Sequence, residues 1–261
     1  MLGIRVIAAA AAGILLTAGA AHAQDAYYGE APQYVLDLGI GGLAKPKYPG
    51  ADDYILVPYP IAQVSRFYLP VVGQQSKSTR NGLFIGPSFG INGERKPSDD
   101  KSLKGTKKVP TSFELGLRGG VRSGPFTVYA SARQGFDGHT GQVGDVGINV
   151  TMPITPNLSL TAGPRAGWGS QDYMRTYFGV TGKEAARGPL KKYRPDGGFQ
   201  SVGLVATATL ALSDRTSLHA RGSWDRLIGD AGDSPIVKAG DKNQWTAGLG
   251  ISRRFDFNLF R

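Results

Sequence analysis

From Ser112 to Arg122 the chain alternates without a slip. Phe113, Leu115, Leu117, Gly119 and Val121 fall on one side; Ser112, Glu114, Gly116, Arg118, Gly120 and Arg122 fall on the other. Successive side chains of a β-strand point to opposite faces, so a period of two gives one apolar face and one charged face. The pattern recurs along the chain in segments of roughly ten residues separated by turns, as expected of strands tilted across a membrane with lipid outside and polar groups inside.

Tyr34, Leu36, Leu38 and Ile40 alternate with Val35, Asp37 and Gly39 in a first strand, and a second runs from about Tyr54 to Tyr68. Leu83, Ile85, Phe89 and Ile91 mark a third. After the Ser112–Arg122 strand come segments at Phe126–Arg133, Asp145–Met152, Leu158–Trp168, Phe199–Leu212, Leu218–Asp225 and Gln244–Phe257. The predicted fold is all-β, a transmembrane antiparallel β-barrel of about ten strands. Twelve is the alternative count, and Pro58 and Pro60, which could divide the second strand, leave the length of that strand open. An even number returns the chain to its starting side. The connections at 123–125, 155–157 and 213–215 are short, whereas 95–110, 171–198 and 229–242 are long. Short periplasmic turns and long external loops are the asymmetry of an outer-membrane barrel.

Arg5, the apolar run Val6 to Leu16 and the small-x-small triplet Ala21-His22-Ala23 predict a Sec-type signal peptide over 1–23. Residues 24–261 then form a single barrel domain, exported to the outer membrane of a Gram-negative bacterium. The absence of cysteine excludes disulfides and thiolate metal sites. The formal charge of +10 favours anionic surfaces, and the expected partners are outer-membrane lipid and lipopolysaccharide, with no nucleic acid. The basic clusters Lys101/Lys104/Lys107/Lys108 and Lys183/Arg187/Lys191/Lys192/Arg194 lie in the long loops, where lipopolysaccharide phosphate is the matching counter-charge.

On this register the inward face collects Arg118, Arg122, Arg133, Arg165, Arg221 and Arg254 with Asp37, Glu114, Asp145, Asp225 and Asp256. Mixed charges in a narrow, partly dry interior are expected to pair, since an isolated buried charge is costly. A barrel of around eight strands is nearly filled by its own side chains, and open pores need roughly sixteen. Ten strands therefore predict a narrow or plugged lumen, with Arg118 and Glu114 as partners in the plug and 171–198 as an external or lumen-plugging loop.

Catalytic signals are sparse. Of the histidines after the predicted signal, His139 lies in a Gly-rich connection and reads as an exposed turn residue. His219 points inward with Ser217 and Ser223 on the same face, a spacing open to nucleophile-and-base chemistry, though serine is common on polar faces. The stretch Gly39–Ala44 formally fits G-x-G-x-x-A, but Pro46 and Pro49 forbid the helix that a dinucleotide site requires. Asp52/Asp53, Asp99/Asp100 and Asp230/Asp233 lack an EF-hand arrangement and read as solvated loop acids. No enzyme, cofactor or metal site is expected.

Three stretches, in this order, resemble the MipA/OmpV family of outer-membrane proteins. They are Lys47–Tyr54 with Val57-Pro58-Tyr59-Pro60, Tyr173–Val180 with Ala185-Ala186 downstream, and Arg226–Val237. The resemblance implies a scaffold that docks murein-remodelling enzymes, since the family takes its name from a protein described as bridging a murein lytic transglycosylase and a murein synthase. It also leaves open a narrow porin-like channel or an adhesin, and a hydrolase stands third. The family supplies no catalytic residues to carry over. Outer-membrane barrels commonly end on Phe, whereas this chain ends Phe255-Asp256-Phe257-Asn258-Leu259-Phe260-Arg261, so either Phe260 or an internal Phe would carry the assembly signal.

Overall fold

The structure, a computed structural model, describes residues 32–69, 73–76 and 81–258. The predicted signal peptide, Phe260 and Arg261 lie outside these described residues. The chain forms strands β1 (Tyr34–Pro46), β2 (Tyr54–Leu69), β3 (Gly73–Ser76), β4 (Asn81–Asn92), β5 (Ser112–Ser123), β6 (Phe126–Asp137), β7 (Gln142–Pro153), β8 (Leu158–Gly169), β9 (Gly198–Ala211), β10 (Thr216–Leu227) and β11 (Asn243–Phe257). All belong to one antiparallel sheet in the order β3-β2-β1-β11-β10-β9-β8-β7-β6-β5-β4. β3 is a four-residue return on the end of β2, so ten long strands make the wall.

The first and last long strands are neighbours, in register from Tyr34 opposite Phe257 to Ala44 opposite Ala247. The sheet also curls until β4 approaches β2. Gly93 N–H donates to the Lys47 carbonyl (2.8 Å), and the Lys45 ammonium donates to the Ile91 carbonyl (2.7 Å). The result is a barrel. β2 runs undivided through Pro58 and Pro60, which pair in register with Gly42 and Ile40 of β1. No ladder is described on the other flank of β2 at these positions, and an unladdered flank is where proline is tolerated.

The alternation sorts side chains as the sequence predicts. Leu83 is 76% exposed, Leu117 59% and Leu249 63%, and Leu38, Ile40, Ile85, Leu115, Val128 and Ile148 are exposed beside them. An apolar belt of that extent has no place in water and belongs against acyl chains. Exposed Phe113, Phe136 and Trp245 border it at the long-loop end, and Tyr34 stacks on Phe257 (5.4 Å between centroids) at the other. Among the described residues no helix is long and apolar enough to cross a membrane.

The buried apolar core lies at one rim, in the long loops. The β8–β9 loop contributes α1 (Gln171–Phe178) and α2 (Gly182–Ala185); the β10–β11 loop contributes α3 (Gly229–Asp233) and α4 (Pro235–Ala239). Tyr173, Met174, Tyr177 and Phe178 of α1 pack with Tyr48 and Ala51 from the β1–β2 loop, Leu103 and Val109 from β4–β5, and Ile236 and Val237 from α4. Each fully buried apolar side chain of this size contributes ~1.5–3 kcal/mol, which is how short helices persist on top of a barrel.

Candidate functional site

Four loops meet in the cap because each holds something that another needs. Arg95, in the β4–β5 loop, is buried, and its guanidinium donates to the Tyr177 (2.7 Å) and Thr176 (3.3 Å) carbonyls. These carbonyls close the C-terminus of α1, where the helix dipole favours a cation. Burial pushes the Arg95 pKa down, and Tyr48 faces the group at 5.8 Å. Glu184 completes a capping box with Thr181 and accepts from the Lys107 N–H (2.7 Å), tying α2 to the β4–β5 loop. Burial raises its carboxyl pKa, but the bonds from Thr181 and Lys107 outweigh this and hold it below the ordinary value. Ser234 caps α4 through Ile236 N–H and donates its hydroxyl to the Phe178 carbonyl (2.7 Å). Burial pushes the Tyr177 phenol up to about 12, although its hydroxyl meets Ser112 at 2.7 Å.

The loop 171–198 is therefore a lid element, joined to loops from across the mouth. Both basic clusters of the sequence are exposed on this cap. Asp99, Asp100 and Asp230 act as local caps: they accept from the backbone N–H groups of Lys96, Ser102 and Asp196.

Beneath the cap lies a cavity of about 1260 Å³ that runs down to Asp214 and Arg215 in the β9–β10 turn. The upper layer centres on Glu114. Its carboxylate accepts from Asn92 (2.8 Å) and Arg133 (3.0 Å) and meets the His139 ring at 3.3 Å. Arg133 continues to Asp145 (3.2 Å), Ser88 (3.1 Å) and Ser131 (3.2 Å). Glycine makes room for this cluster on both flanking strands. A Cβ at Gly90 would lie 2.2 Å from the Glu114 carboxylate, and one at Gly135 would lie 2.1 Å from the His139 ring. At a similar depth, Arg165 on β8 donates to Asp225 (2.8 Å) and to Ser223 (2.9 Å) of β10. Near the short-turn end, Arg254 pairs with Asp37 (3.1 Å), its neighbour across the β1–β11 ladder.

Two expectations need correction. Arg118 and Glu114 are not partners. Four residues along a strand span about 13 Å, and the diagonal Arg133 on β6 reaches Glu114 first. Arg118 instead lies 3.6 Å over the Tyr129 ring, and Arg122 4.3 Å over Phe84. Arg221 and Asp256 line the cavity with no ion pair among the described residues. His139 is also no exposed turn residue. It is 3% exposed, with its ring edge-on to Tyr173 (5.0 Å) and Tyr177 (5.4 Å). A Gly-rich connection reads as solvated until α1 is known to fold over it. The signal within reach was the Tyr173/Met174 and Tyr177/Phe178 spacing, which puts four large apolar side chains on one helical face. His219 contacts Ser252 (2.8 Å) and Thr209 (3.2 Å) on the adjoining strands.

A family model described as MltA-interacting protein MipA matches residues 38–255, from within β1 to within β11. The outer membrane protein Omp26La of Vibrio anguillarum is 30% identical over 163 residues, 59% of this chain and 58% of that protein. The MltA-interacting protein of Escherichia coli K12 is 32% identical over 100 residues, 38% of either chain. Both matches span less than two thirds of the relatives' own length. Among solved structures, Neisserial surface protein A aligns over 88% of this chain and 100% of its own at 9% identity and a TM-score of 0.29, too loose to add to what the sheet itself shows. A curled, barrel-forming wall of lipid-facing strands and a family match running from the first strand to the last lead to one assignment: the chain belongs to the MltA-interacting protein MipA family and resides in the outer membrane.

Proposed function

We propose that this chain is a non-enzymatic outer-membrane barrel that holds murein-remodelling enzymes at the membrane, with a lytic transglycosylase and a murein synthase as its partners. The observation that carries the reading is the cap. Its loops spend their apolar residues on one another across the mouth, which argues for a stoppered scaffold over an open conduit. The lytic transglycosylase follows the name of one relative, MltA-interacting protein, and the synthase follows the family resemblance. In outer-membrane barrels the short turns face the periplasm, where such enzymes work. The docking surface is then the end carrying the turns at 124–125, 154–157 and 212–215, and the basic cap faces lipopolysaccharide.

A photo-crosslinking residue placed at Asn157 or Asp214 should capture a lytic transglycosylase or synthase from intact envelopes, and one at Lys183 should not. If neither short-turn position yields either enzyme, the scaffold reading falls. Planar-bilayer recordings address the channel reading, which requires discrete openings from the intact chain.

A further inference from the structure

The charge ledger of the lumen does not close. Glu114, Asp145, Asp225 and Asp37 are all held by Arg133, Arg165 and Arg254, and the one further lumen acid of the described strands, Asp256, is exposed at the short-turn end of β11. Arg118, Arg122 and Arg221 remain in the cavity wall with no hydrogen bond or ion pair to any other described residue. The three form one group. Arg118 and Arg122 share the inward face of β5, and Arg221 on β10 lies within electrostatic reach of Arg118. β5 and β10 are five steps apart in a wall of ten long strands, so the arginines face one another across the lumen.

A ten-strand wall closes at roughly 20 Å across. Two guanidinium groups reaching inward by about 6 Å each leave a gap of roughly one oxyanion. Stacking on Tyr129 and Phe84 holds the planes of Arg118 and Arg122 by their faces. The in-plane N–H forks stay available, and a fork is the geometry that matches phosphate or carboxylate oxygens. Like charges gathered in a confined, low-dielectric space repel strongly unless an anion joins them. The carboxylate within electrostatic reach of Arg118, Asp145, already accepts from Arg133 and Ser131.

We propose that the lower lumen binds a small multivalent oxyanion, a phosphate- or carboxylate-bearing solute that enters from the short-turn end. Among the described residues no long loop crosses that end, whereas the cap covers the other. The site would make the barrel a receptor for a periplasmic anion, independently of any docked enzyme.

Calorimetric titration of the full chain, folded in detergent, with sodium pyrophosphate and separately with citrate tests this against chloride at matched ionic strength. Saturable binding of at least one is expected, weakened at least tenfold by Arg118→Gln and by Arg221→Gln. Arg226→Gln, at an exposed arginine outside the cavity, should leave it unchanged. No saturable binding by the unmutated chain, or binding undiminished in both cavity variants, would overturn the proposal. Arginine footprinting with phenylglyoxal on the unmutated chain covers the case of a variant that fails to fold. The bound anion should protect Arg118, Arg122 and Arg221 but not Arg226, and equal labelling with and without it counts against the site.

Discussion

At the scale of single residues, the cap depends on groups whose value lies in what they satisfy. Arg95 is the clearest. Replacing it by Ala leaves two α1 carbonyls without their donor and opens a void in a dry cluster. Unsatisfied buried polar groups cost ~1–3 kcal/mol each, and truncation of a large buried side chain adds to that. Arg95→Ala should therefore destabilise the cap by about 3 kcal/mol, read as faster amide exchange over 171–180 with the strands unchanged. Tyr177 sets a pH limit on the same element. Its phenol titrates near 12 when folded, against 10.0 unperturbed, because the buried site disfavours phenolate. A folded pKa raised above the unfolded one gives stability that is complete below pH 10 and lost as pH climbs from 10 to 12. Amide exchange or near-UV circular dichroism should show the cap opening in that window, and Tyr177→Phe should blunt the loss.

At the scale of elements, the strands were legible and the helices were not, for one physical reason. A strand with lipid on one side and a polar lumen on the other must alternate, so Ser112–Arg122 declared both its conformation and its register. Even the second strand kept its length through Pro58 and Pro60. The helices are four to eight residues long and hold their shape through contacts with other loops, as Ser234 does with Phe178. Their sequences carry capping residues but no sustained period. The burial of His139 and Arg95 leaves no trace in their own local sequence for the same reason; the only hint is the apolar face of the distant α1 that folds over them. The lipid-facing assignment makes its own prediction. Leu117→Arg, near the middle of β5, should cost ~2–4 kcal/mol in bilayer-folded protein, against about 0–1 kcal/mol for Phe113→Arg at the rim, as read by urea unfolding. Equal costs at the two depths would contradict the placement of the belt.

At the scale of the molecule, two bodies share one chain and answer to different solvents. The wall turns its apolar side chains outward to lipid and keeps its ion pairs within, while the cap packs apolar side chains inward as a water-soluble domain does. The resemblance read from the Tyr173–Val180 and Arg226–Val237 stretches is explained by that division, because both supply the cap's dry interior. The loops of a barrel ordinarily form the part that a bacterium can rewrite when antibodies or phages select against it. Here that freedom is curtailed. Tyr48, Arg95, Tyr177 and Val237 come from four separate loops and interlock, so a change that lets one loop escape recognition removes a support from the other three. The long-loop face of this protein is therefore constrained to change in concert or only at its exposed lysines and arginines.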